Sequence, residues 1–524
     1  MGRFDQAFAL IKENYQISNV KNSPGMSISV NFQQSIEHFH FGAACLESKA
    51  LINQSTKFHA ASLAKQFTGA AICLLEREGK LKLTDTVATY LKFIPQVATK
   101  ITILQLLDHT SGLRDQWVLK FLAGWRDDDL FTMDDAIRLT SRQKELNFSP
   151  AREHSYCNTG YTLLALIVEN ISGVPFELFI ESRLFTPAKM ANSLMRREHD
   201  RVLDNEALAY RFDEENRNHY RSLPPFNIIG ATSLVTTSED LVKWAAFIQK
   251  NGLINCYKKG KLSDKQEINY SRGLIKSKFG EEHVLYHSGW DYGYSSLIMI
   301  FPKQELSIAI LANCFSPSLD VLGILLANKV MDLGEQYQAI AEASLSDELH
   351  CPKTTYNPEL FTGVYSNSNT GELLSFKKSD SGPILDIAQG YPLIKLNDDE
   401  FLIQGTTSKI KFDGHDKLYR SVAGNWNEYS RCVVTQPSIR NERTVGFYYS
   451  EELNSVLEIS CEEKSLQLSF PRGEKYKLRH LSGDKYVFNG MTVLFKIGMN
   501  DEIIINISHP RATNIKFIKG HNSE

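Results

Sequence analysis

The sequence lacks any long apolar run. No segment approaches the roughly 20 apolar residues that a membrane-spanning helix needs. The first sixteen residues, MGRFDQAFALIKENYQ, carry a charge every few positions and lack the apolar stretch of a signal peptide. They are typical of a short amphipathic helix. We therefore expect a cytoplasmic chain with no membrane partner.

Paired cysteines and an excess of charge are also missing. The eight cysteines have no C-x-x-C spacing and are scattered over positions 45, 73, 157, 256, 314, 351, 432 and 461. This favours reduced thiols over a disulfide framework or a zinc site, so we expect no metal and no cofactor. The net charge of −3 and the pI near 6.6 give no reason to expect nucleic acid as a partner.

The chain of 524 residues is too long for one ordinary core, and about two to four domains are expected. Residues 1–332 have strand-like segments at both ends and helices between them. That order predicts an antiparallel sheet joined to a helical subdomain, with a cleft between the two. The expected elements are strands at 25–32, 39–45, 284–287, 295–301 and 306–311, and a final helix at Leu319–Met331.

The remainder of the chain contains an internal repeat. A polar linker over 333–355 leads into short alternating strands separated by Gly, Asp and Asn turns. Two pairs of segments resemble each other, namely 361–376 with 444–459 and 391–403 with 475–488. We expect two copies of a small antiparallel barrel, at 356–437 and 438–524.

The first motif with chemical potential is FHAASLAKQFTGAAICLLEREG, at 58–79. Its apolar pattern predicts a helix over 61–78 that ends at Gly79. Ser62 and Lys65 are three positions apart and would share one helix face. A lysine on a buried helix needs a partner or a depressed pKa. Ser-x-x-Lys recurs five times elsewhere, but in polar or strand-like settings, so the apolar helix distinguishes this pair.

Two further motifs are ambiguous when each is taken alone. Tyr156 and Asn158 precede an apolar helix, where the tyrosine could simply pack and the asparagine could simply cap the helix. His287 and Gly289 follow a short strand, and the glycine would allow a ligand to approach the backbone closely. Most single His-x-Gly sequences are incidental.

Taken in order, the three motifs resemble the penicillin-recognising serine hydrolases, a family of class C β-lactamases, D-alanyl-D-alanine carboxypeptidases, esterases and D-aminopeptidases. Similar stretches occur at 83–91, 101–115 and 230–245, and the resemblance covers roughly residues 10–330. It implies an α+β fold of the β-lactamase/transpeptidase type, followed here by two all-β antiparallel barrels. This layout, and His-x-Gly where β-lactamases have Lys-Thr-Gly, most resemble the D-aminopeptidase branch.

The resemblance also implies roles for individual residues. Ser62 would be the nucleophile that forms an acyl-enzyme. The general base is either a neutral Lys65 or a Tyr156 whose pKa a charged Lys65 lowers, and the sequence leaves both open. Asn158 would hold Lys65 and orient the substrate carbonyl. The backbone N–H groups of Ser62 and Trp290 would form an oxyanion hole.

The resemblance assigns the selection of substrate to more distant parts of the chain. His287, beside Gly289, would line the opposite wall of the cleft, donating a hydrogen bond or repelling a cation. A loop of the last barrel would reach the site, where Asp484 or Glu474 could meet a substrate ammonium. Both acids could equally lie in ordinary hairpin turns. We interpret His109 as a structural loop residue.

The resulting expectation is a metal-free serine peptidase or amidase that releases N-terminal D-amino acids from small peptides or amides. The alternatives are an esterase, a D-alanyl-D-alanine carboxypeptidase or weak β-lactamase, and, from another class, an inactive binding or sensing protein. We expect a homodimer, with the barrels acting as a cap and dimer scaffold.

Overall fold

The computed structural model describes most of the chain, and the described residues are 4, 8, 9, 22–213, 215–279, 281–314, 319–332, 362–367, 372–379, 382–385, 391–396, 399–403, 409–422, 425–433 and 435–520. Most of the expected N-terminal helix lies outside these residues, and so does the linker expected at 333–355.

The N-terminal region is built on a seven-stranded antiparallel sheet, whose strands in order across the sheet are Tyr270–Ser271, Leu274–Phe279, Glu282–Asp291, Tyr294–Phe301, Leu306–Ala312, Met26–Phe32 and Ser35–Phe41. The strands of this region are β1 Met26–Phe32, β2 Ser35–Phe41, β3 Ala43–Cys45, β4 Ala50–Leu51, β5 Phe58–His59, β6 Phe131–Thr132, β7 Leu194–Met195, β8 Ala209–Asp213, β9 Asn218–Ser222, β10 Phe226–Asn227, β11 Leu234–Thr236, β12 Gly260–Lys261, β13 Glu267–Ile268, β14 Tyr270–Ser271, β15 Leu274–Phe279, β16 Glu282–Asp291, β17 Tyr294–Phe301 and β18 Leu306–Ala312.

Helices cover both faces of this sheet. They are α1 Ala64–Arg77, α2 Val87–Tyr90, α3 Ile103–Leu107, α4 Gln116–Leu122, α5 Met133–Ser141, α6 Asn158–Ser172, α7 Phe176–Ile180, α8 Ser238–Lys250 and α9 Leu319–Met331, with 3-10 turns at Ala61–Leu63, Gln96–Ala98, Leu253–Cys256 and Pro302–Gln304 and a π turn at Glu181–Phe185. Side chains of a strand alternate between faces. Leu297 accordingly packs with α9, whereas Ile298 joins the core of the helical subdomain. Because both faces are covered, β17 and β18 are buried along their whole length.

The expected helix at 61–78 is confirmed as the Ala61–Leu63 turn followed by α1, with Gly79 in the left-handed region at φ 69°. The expected helix Leu319–Met331 is confirmed at the same bounds. The strand expected at 284–287 is longer, because β16 pairs with both neighbours and extends to Asp291.

The first C-terminal module is a closed barrel of eight consecutive antiparallel strands. They are β19 Gly363–Ser366, β20 Leu373–Ser379, β21 Gly382–Leu385, β22 Tyr391–Lys395, β23 Glu400–Ile403, β24 Lys409–Asp413, β25 Lys417–Val422 and β26 Asn425–Arg431. Buried side chains such as Phe376, Ile410 and Leu418 fill its interior.

The second module repeats this meander in a nine-stranded sheet. After a short helix, α10 Asn441–Thr444, its strands are β27 Gly446–Ser450, β28 Ser455–Glu462, β29 Ser465–Ser469, β30 Lys475–Lys477, β31 Arg479–Ser482, β32 Lys485–Phe488, β33 Met491–Ile497, β34 Ile503–His509 and β35 Ala512–Lys519. The fourth strand of the repeat is split at Leu478. Gly363 and Gly446 have the same backbone conformation, with φ of 137° and 138°, as the internal repeat predicts. The predicted fold class is confirmed, whereas the exact domain limits stay predictions.

The second module packs directly against the helical subdomain. The ring of Phe121 in α4 packs against those of Phe470 and Phe488 of the module, with centroids 5.6 and 6.4 Å apart. Beside this apolar contact, the buried guanidinium of Arg114 pairs with the carboxylate of Glu452. A shared core and a buried ion pair therefore fix the module beside the expected cleft.

Candidate active site

Ser62 lies in the short turn that starts the buried helix α1. Its neighbours Ala61 and Leu63 are buried, whereas Ser62 itself is partly exposed. Ala61 has a φ of 47°, a left-handed conformation that a non-glycine residue seldom adopts. Such backbone strain is characteristic of functional sites. The turn thus leaves the Ser62 hydroxyl accessible while its neighbours are held in the core.

Lys65 is completely buried and has three polar neighbours. Its Nζ lies 3.0 Å from Ser62 Oγ, 2.8 Å from Asn158 Oδ1 and 2.6 Å from the carbonyl oxygen of Ala231. Burial lowers the pKa of Lys65 to about 7, although Asp115 opposes the change. In the neutral form, two N–H groups donate to Asn158 and Ala231. The nitrogen lone pair is then left to accept the hydroxyl proton of Ser62.

Tyr156 is less suited to accept that proton. Burial raises its pKa above the ordinary value, and an interaction with the Ser62 side chain only partly opposes this. Its ring centroid lies 4.8 Å from Lys65 Nζ. At neutral pH the phenol therefore keeps its proton, and it can donate a hydrogen bond or pass on that proton. Of the two bases that the sequence left open, the geometry favours Lys65.

Asn158 is oriented by a carboxylate that sequence reasoning missed. Asp115 Oδ2 accepts the backbone N–H of Asn158 at 2.7 Å and its side-chain N–H at 2.8 Å. Because the amide nitrogen faces Asp115, the amide oxygen must face Lys65. The predicted contact between Asn158 and Lys65 is present. One of the two side-chain N–H groups of Asn158 donates to Asp115. The other could donate to a substrate carbonyl, and this expected contact stays a prediction.

A local signal for Asp115 does exist in the sequence. It is the last residue of ITILQLLDHTSGLRD and immediately precedes α4. Its side chain caps that helix by accepting the N–H of Trp117 at 3.0 Å. The position of Asp115 as a helix cap can therefore be predicted from the sequence, whereas its contact with Asn158 depends on the tertiary fold.

Gly289 lets the sheet approach the nucleophile. A Cβ at this position would lie 2.7 Å from the carbonyl oxygen of Ala60 and 3.0 Å from the backbone nitrogen of Ser62. Only glycine permits β16 to pass so close to the turn. Trp290 follows on the same strand, and its side chain is 65% exposed. Its backbone N–H remains a predicted second donor of the oxyanion hole.

His287 is buried on β16, and its ring is neutral. Its Nδ1 lies 2.6 Å from the carbonyl oxygen of Ser288, so it carries the proton, and Nε2 can accept from the Tyr270 hydroxyl at 3.3 Å. Burial lowers the pKa of His287 to about 3, with Lys65 acting in the same direction. Because the ring is uncharged and its N–H is bonded to Ser288, the geometry favours neither repulsion of a cation nor donation to a substrate, and both expected roles of His287 stay predictions.

His109 has the structural role that we expected. Its Nδ1 accepts the backbone N–H of Cys157 at 3.1 Å, and its ring lies 4.4 Å from that of Tyr156. These contacts fix the loop in front of α6. His109 therefore positions Tyr156 without contacting Ser62.

Among the residues that the structure describes, neither acid offered for substrate selection has a contact that connects it with the cleft. Asp484 lies in the turn between β31 and β32, where it accepts the backbone N–H groups of Ser438 and Ile439 at 2.8 Å. Glu474 is exposed in the turn before β30. Both acids thus fit the ordinary-turn interpretation. A different turn of the same module, between β34 and β35, is the one that packs against the catalytic region.

That turn brings Arg511 to the site. Its guanidinium lies 5.7 Å from the ring centroid of Tyr156. Its carbonyl oxygen accepts the backbone N–H of Asp115 at 2.8 Å. A loop of the last barrel therefore reaches the site, but it carries a cation. The sequence holds no local signal for this contact.

The described residues contain no group of three His, Cys, Asp or Glu side chains placed to hold a metal ion. Within the same part of the chain, no single helix is long and apolar enough to cross a membrane. The helical segments Asn158–Ser172 and Phe176–Phe185, bent by 79°, pass that test only as a pair.

Comparison with known proteins relates the chain to a family. The Beta-lactamase family model matches residues 16–329. Penicillin-binding protein 4* of Bacillus subtilis is 29% identical over 297 residues, which are 53% of this chain and 65% of that protein. Protein flp of Staphylococcus aureus is 29% identical over 52% of this chain and 56% of its own length. The chain thus spans less than two thirds of these curated relatives.

Two solved structures share the fold. The octameric penicillin-binding protein homologue from Pyrococcus abyssi has a TM-score of 0.57 at 20% identity, over 90% of this chain and 98% of that one. D-amino acid amidase from Ochrobactrum anthropi SV3, complexed with L-phenylalanine amide, has a TM-score of 0.54 at 17% identity, over 63% and 99%. At these identities the likeness shows the fold alone.

The fold, together with a serine hydrogen-bonded to a buried lysine at a helix start, defines a class of serine hydrolases that work through an acyl-enzyme. Within that class, the chain belongs to the beta-lactamase family, whose model matches more than half of its length. The family resemblance read from the three motifs is confirmed.

Proposed function

We propose that the chain hydrolyses small amides or peptides of D-amino acids through an acyl-enzyme on Ser62. The observation that carries the proposal is the contact of 3.0 Å between Ser62 Oγ and Lys65 Nζ, together with a pKa of Lys65 of about 7. A general base works best when its pKa lies near the working pH.

Acylation begins when Lys65 Nζ takes the hydroxyl proton of Ser62. The oxygen then attacks the substrate carbonyl, and the negative charge on the tetrahedral carbon's oxygen is met by backbone N–H groups of Ser62 and Trp290. The C–N bond breaks as the proton passes to the leaving nitrogen, with Tyr156 as the available relay. Water then repeats the sequence on the ester, releasing the acid and restoring the Ser62 hydroxyl.

The substrate class is supported by the fold shared with D-amino acid amidase and by the two C-terminal modules of the predicted D-aminopeptidase layout. His287 stands where β-lactamases have a lysine, and its ring is neutral. A β-lactam carboxylate would find no charge there, and we expect β-lactam hydrolysis to be weak. The cytoplasmic location and the homodimer remain predictions.

The first test is hydrolysis of D-alanine and L-alanine p-nitroanilides, with a p-nitrophenyl ester and a chromogenic cephalosporin for comparison. Ser62→Ala should abolish turnover and leave the melting temperature within about two degrees, because a partly exposed hydroxyl contributes little to stability. Ser141→Ala is the matched control, since Ser141 also precedes a lysine by three residues but lies half-buried at the end of α5, where its hydroxyl donates to the carbonyl oxygen of Arg138.

Cleavage of the D-anilide alone, lost in Ser62→Ala and retained in Ser141→Ala, would support the proposal. Ester cleavage without amide cleavage would move the chain to the esterase branch. A complete lack of turnover on all four substrates and on the dipeptide D-alanyl-glycine would contradict an enzymatic function and favour the binding protein.

A further inference from the structure

The loop between β34 and β35 is anchored firmly to the catalytic region. The carbonyl oxygen of Arg511 accepts the backbone N–H of Asp115 at 2.8 Å and the side-chain N–H of Asn147 at 3.1 Å. The carbonyl oxygen of Pro510 accepts the Ser155 hydroxyl at 3.2 Å. Because these anchors lie on segments that also carry Asp115 and Tyr156, the loop is held in register with the catalytic groups.

The side chain of Arg511 lies over the Tyr156 ring in a cation–π contact and has no polar partner among the described residues. Within the part of the chain that the structure describes, its guanidinium has no hydrogen bond and no ion pair with a carboxylate. The side chain is half-buried, and its charge lies 5.7 Å from the Tyr156 ring centroid. A guanidinium offers five N–H donors in a planar fork that matches a carboxylate.

The carboxylates that act electrostatically on this site are already engaged. Asp115 accepts hydrogen bonds from Asn158 and caps α4 through Trp117. Asp291 accepts from Thr232 at 2.8 Å and pairs with His59 at 3.2 Å. Neither is bonded to Arg511, so its guanidinium is available to an anion that does not belong to the described residues.

We propose that Arg511 binds a carboxylate of the substrate and so determines specificity within the proposed hydrolase function, on which this inference rests. The preferred substrates are then small peptides with a free carboxylate near the scissile bond. Simple amides, whose only charge is an ammonium, would meet a cation at Arg511. This reverses the expectation of an acidic residue in the barrel loop.

The test compares substrates that differ only in one carboxylate. D-Alanyl-glycine against D-alanyl-glycinamide places the carboxylate on the leaving side of the scissile bond. N-Succinyl-D-alanine p-nitroanilide against the N-acetyl compound places it on the acyl side. We expect wild-type kcat/KM to favour the carboxylate member of one pair by about 10-fold to 100-fold, the range for a hydrogen-bonded charge pair.

Arg511→Gln should abolish that preference, and Arg511→Lys should retain part of it, because it keeps the charge and loses the fork. The exposed Arg479 on β31 provides the control, and Arg479→Gln should leave the preference unchanged. The ratio within a pair is the readout, because a general change in the rate affects both members equally. No preference in the wild type, or an equal preference in Arg511→Gln, would overturn the inference.

Binding separates this inference from the proposed function. Ser62→Ala should bind N-acetyl-D-alanine about 10-fold or more tightly than N-acetyl-D-alaninamide by calorimetry, and Ser62→Ala/Arg511→Gln should bind both equally. If the wild type cleaves no substrate, the proposed function fails, and the binding ratio alone decides the role of Arg511. Equal binding in the single variant would refute that role.

Discussion

Replacing Asp115 by asparagine tests the catalytic arrangement most directly. The carboxylate accepts two N–H groups from Asn158 and one from Trp117. An asparagine has one acceptor oxygen, so its own N–H group must face either Asn158 or Trp117, both of which are donors. Leaving a buried polar group without its partner costs about 1–3 kcal/mol. We therefore expect the free energy of unfolding to fall by that amount.

The same change removes a negative charge that supports the ammonium form of Lys65. The side-chain amide of Asn158 bridges the two charges: its N–H donates to Asp115 at 2.8 Å, and its oxygen accepts from Lys65 Nζ at 2.8 Å. That path puts the two charges within about 8 Å, where Coulomb's law at an effective dielectric constant of about 20 gives roughly 2 kcal/mol. Since about 1.4 kcal/mol corresponds to one pH unit, the pKa of Lys65 should fall by about one unit or more.

The sign of the effect on the pH profile follows from the role of Lys65 as base. Activity requires its neutral form, so kcat/KM should rise with pH through a limb near 7 in the wild type. In Asp115→Asn the limb should move to lower pH, although the plateau also falls because Asn158 is held less firmly. Arg511→Gln should move the limb to higher pH, because the guanidinium lowers the pKa of Lys65. Stopped assays from pH 5 to 9, with melting curves alongside, measure both limbs, and shifts of equal sign would refute the assignment of the base.

Four further substitutions examine other parts of the structure. Lys65→Met should remove the limb near pH 7 together with nearly all turnover, whereas Tyr156→Phe should lower kcat but keep that limb; the opposite pattern would make the phenol the base. Gly289→Ala should lower kcat/KM by about 10²–10³-fold, the cost of losing an oxyanion donor, because the new methyl group pushes β16 away from the turn that carries Ser62. Activity near the wild-type level would show that catalysis does not require β16 to lie this close to Ser62. Arg114→Met should lower the free energy of unfolding by about 3–5 kcal/mol in denaturant titration, because it leaves the buried Glu452 carboxylate without its partner where the second module meets the catalytic region. A change below about 1 kcal/mol would contradict a buried ion pair.

Local features of the chain could be predicted from the sequence. The helix of Ser62 and Lys65, its end at Gly79 and the final helix Leu319–Met331 follow from the spacing of apolar residues and from a glycine stop. The internal repeat predicted two copies of one meander. These properties depend on residues close together along the chain, and neighbouring residues alone are sufficient to encode them.

The properties of the site itself depend on which distant segments meet. The pKa values of Lys65 and His287 are set by burial and by charges from other segments, and no local pattern encodes them. The orientation of Asn158 depends on Asp115, and the cation beside Tyr156 arrives only because the second module docks against the helical subdomain. The sequence by itself determined the reacting groups and their order. Only the tertiary structure decided which group can accept a proton at neutral pH and which charge the substrate meets, because desolvation and Coulomb interactions act through space.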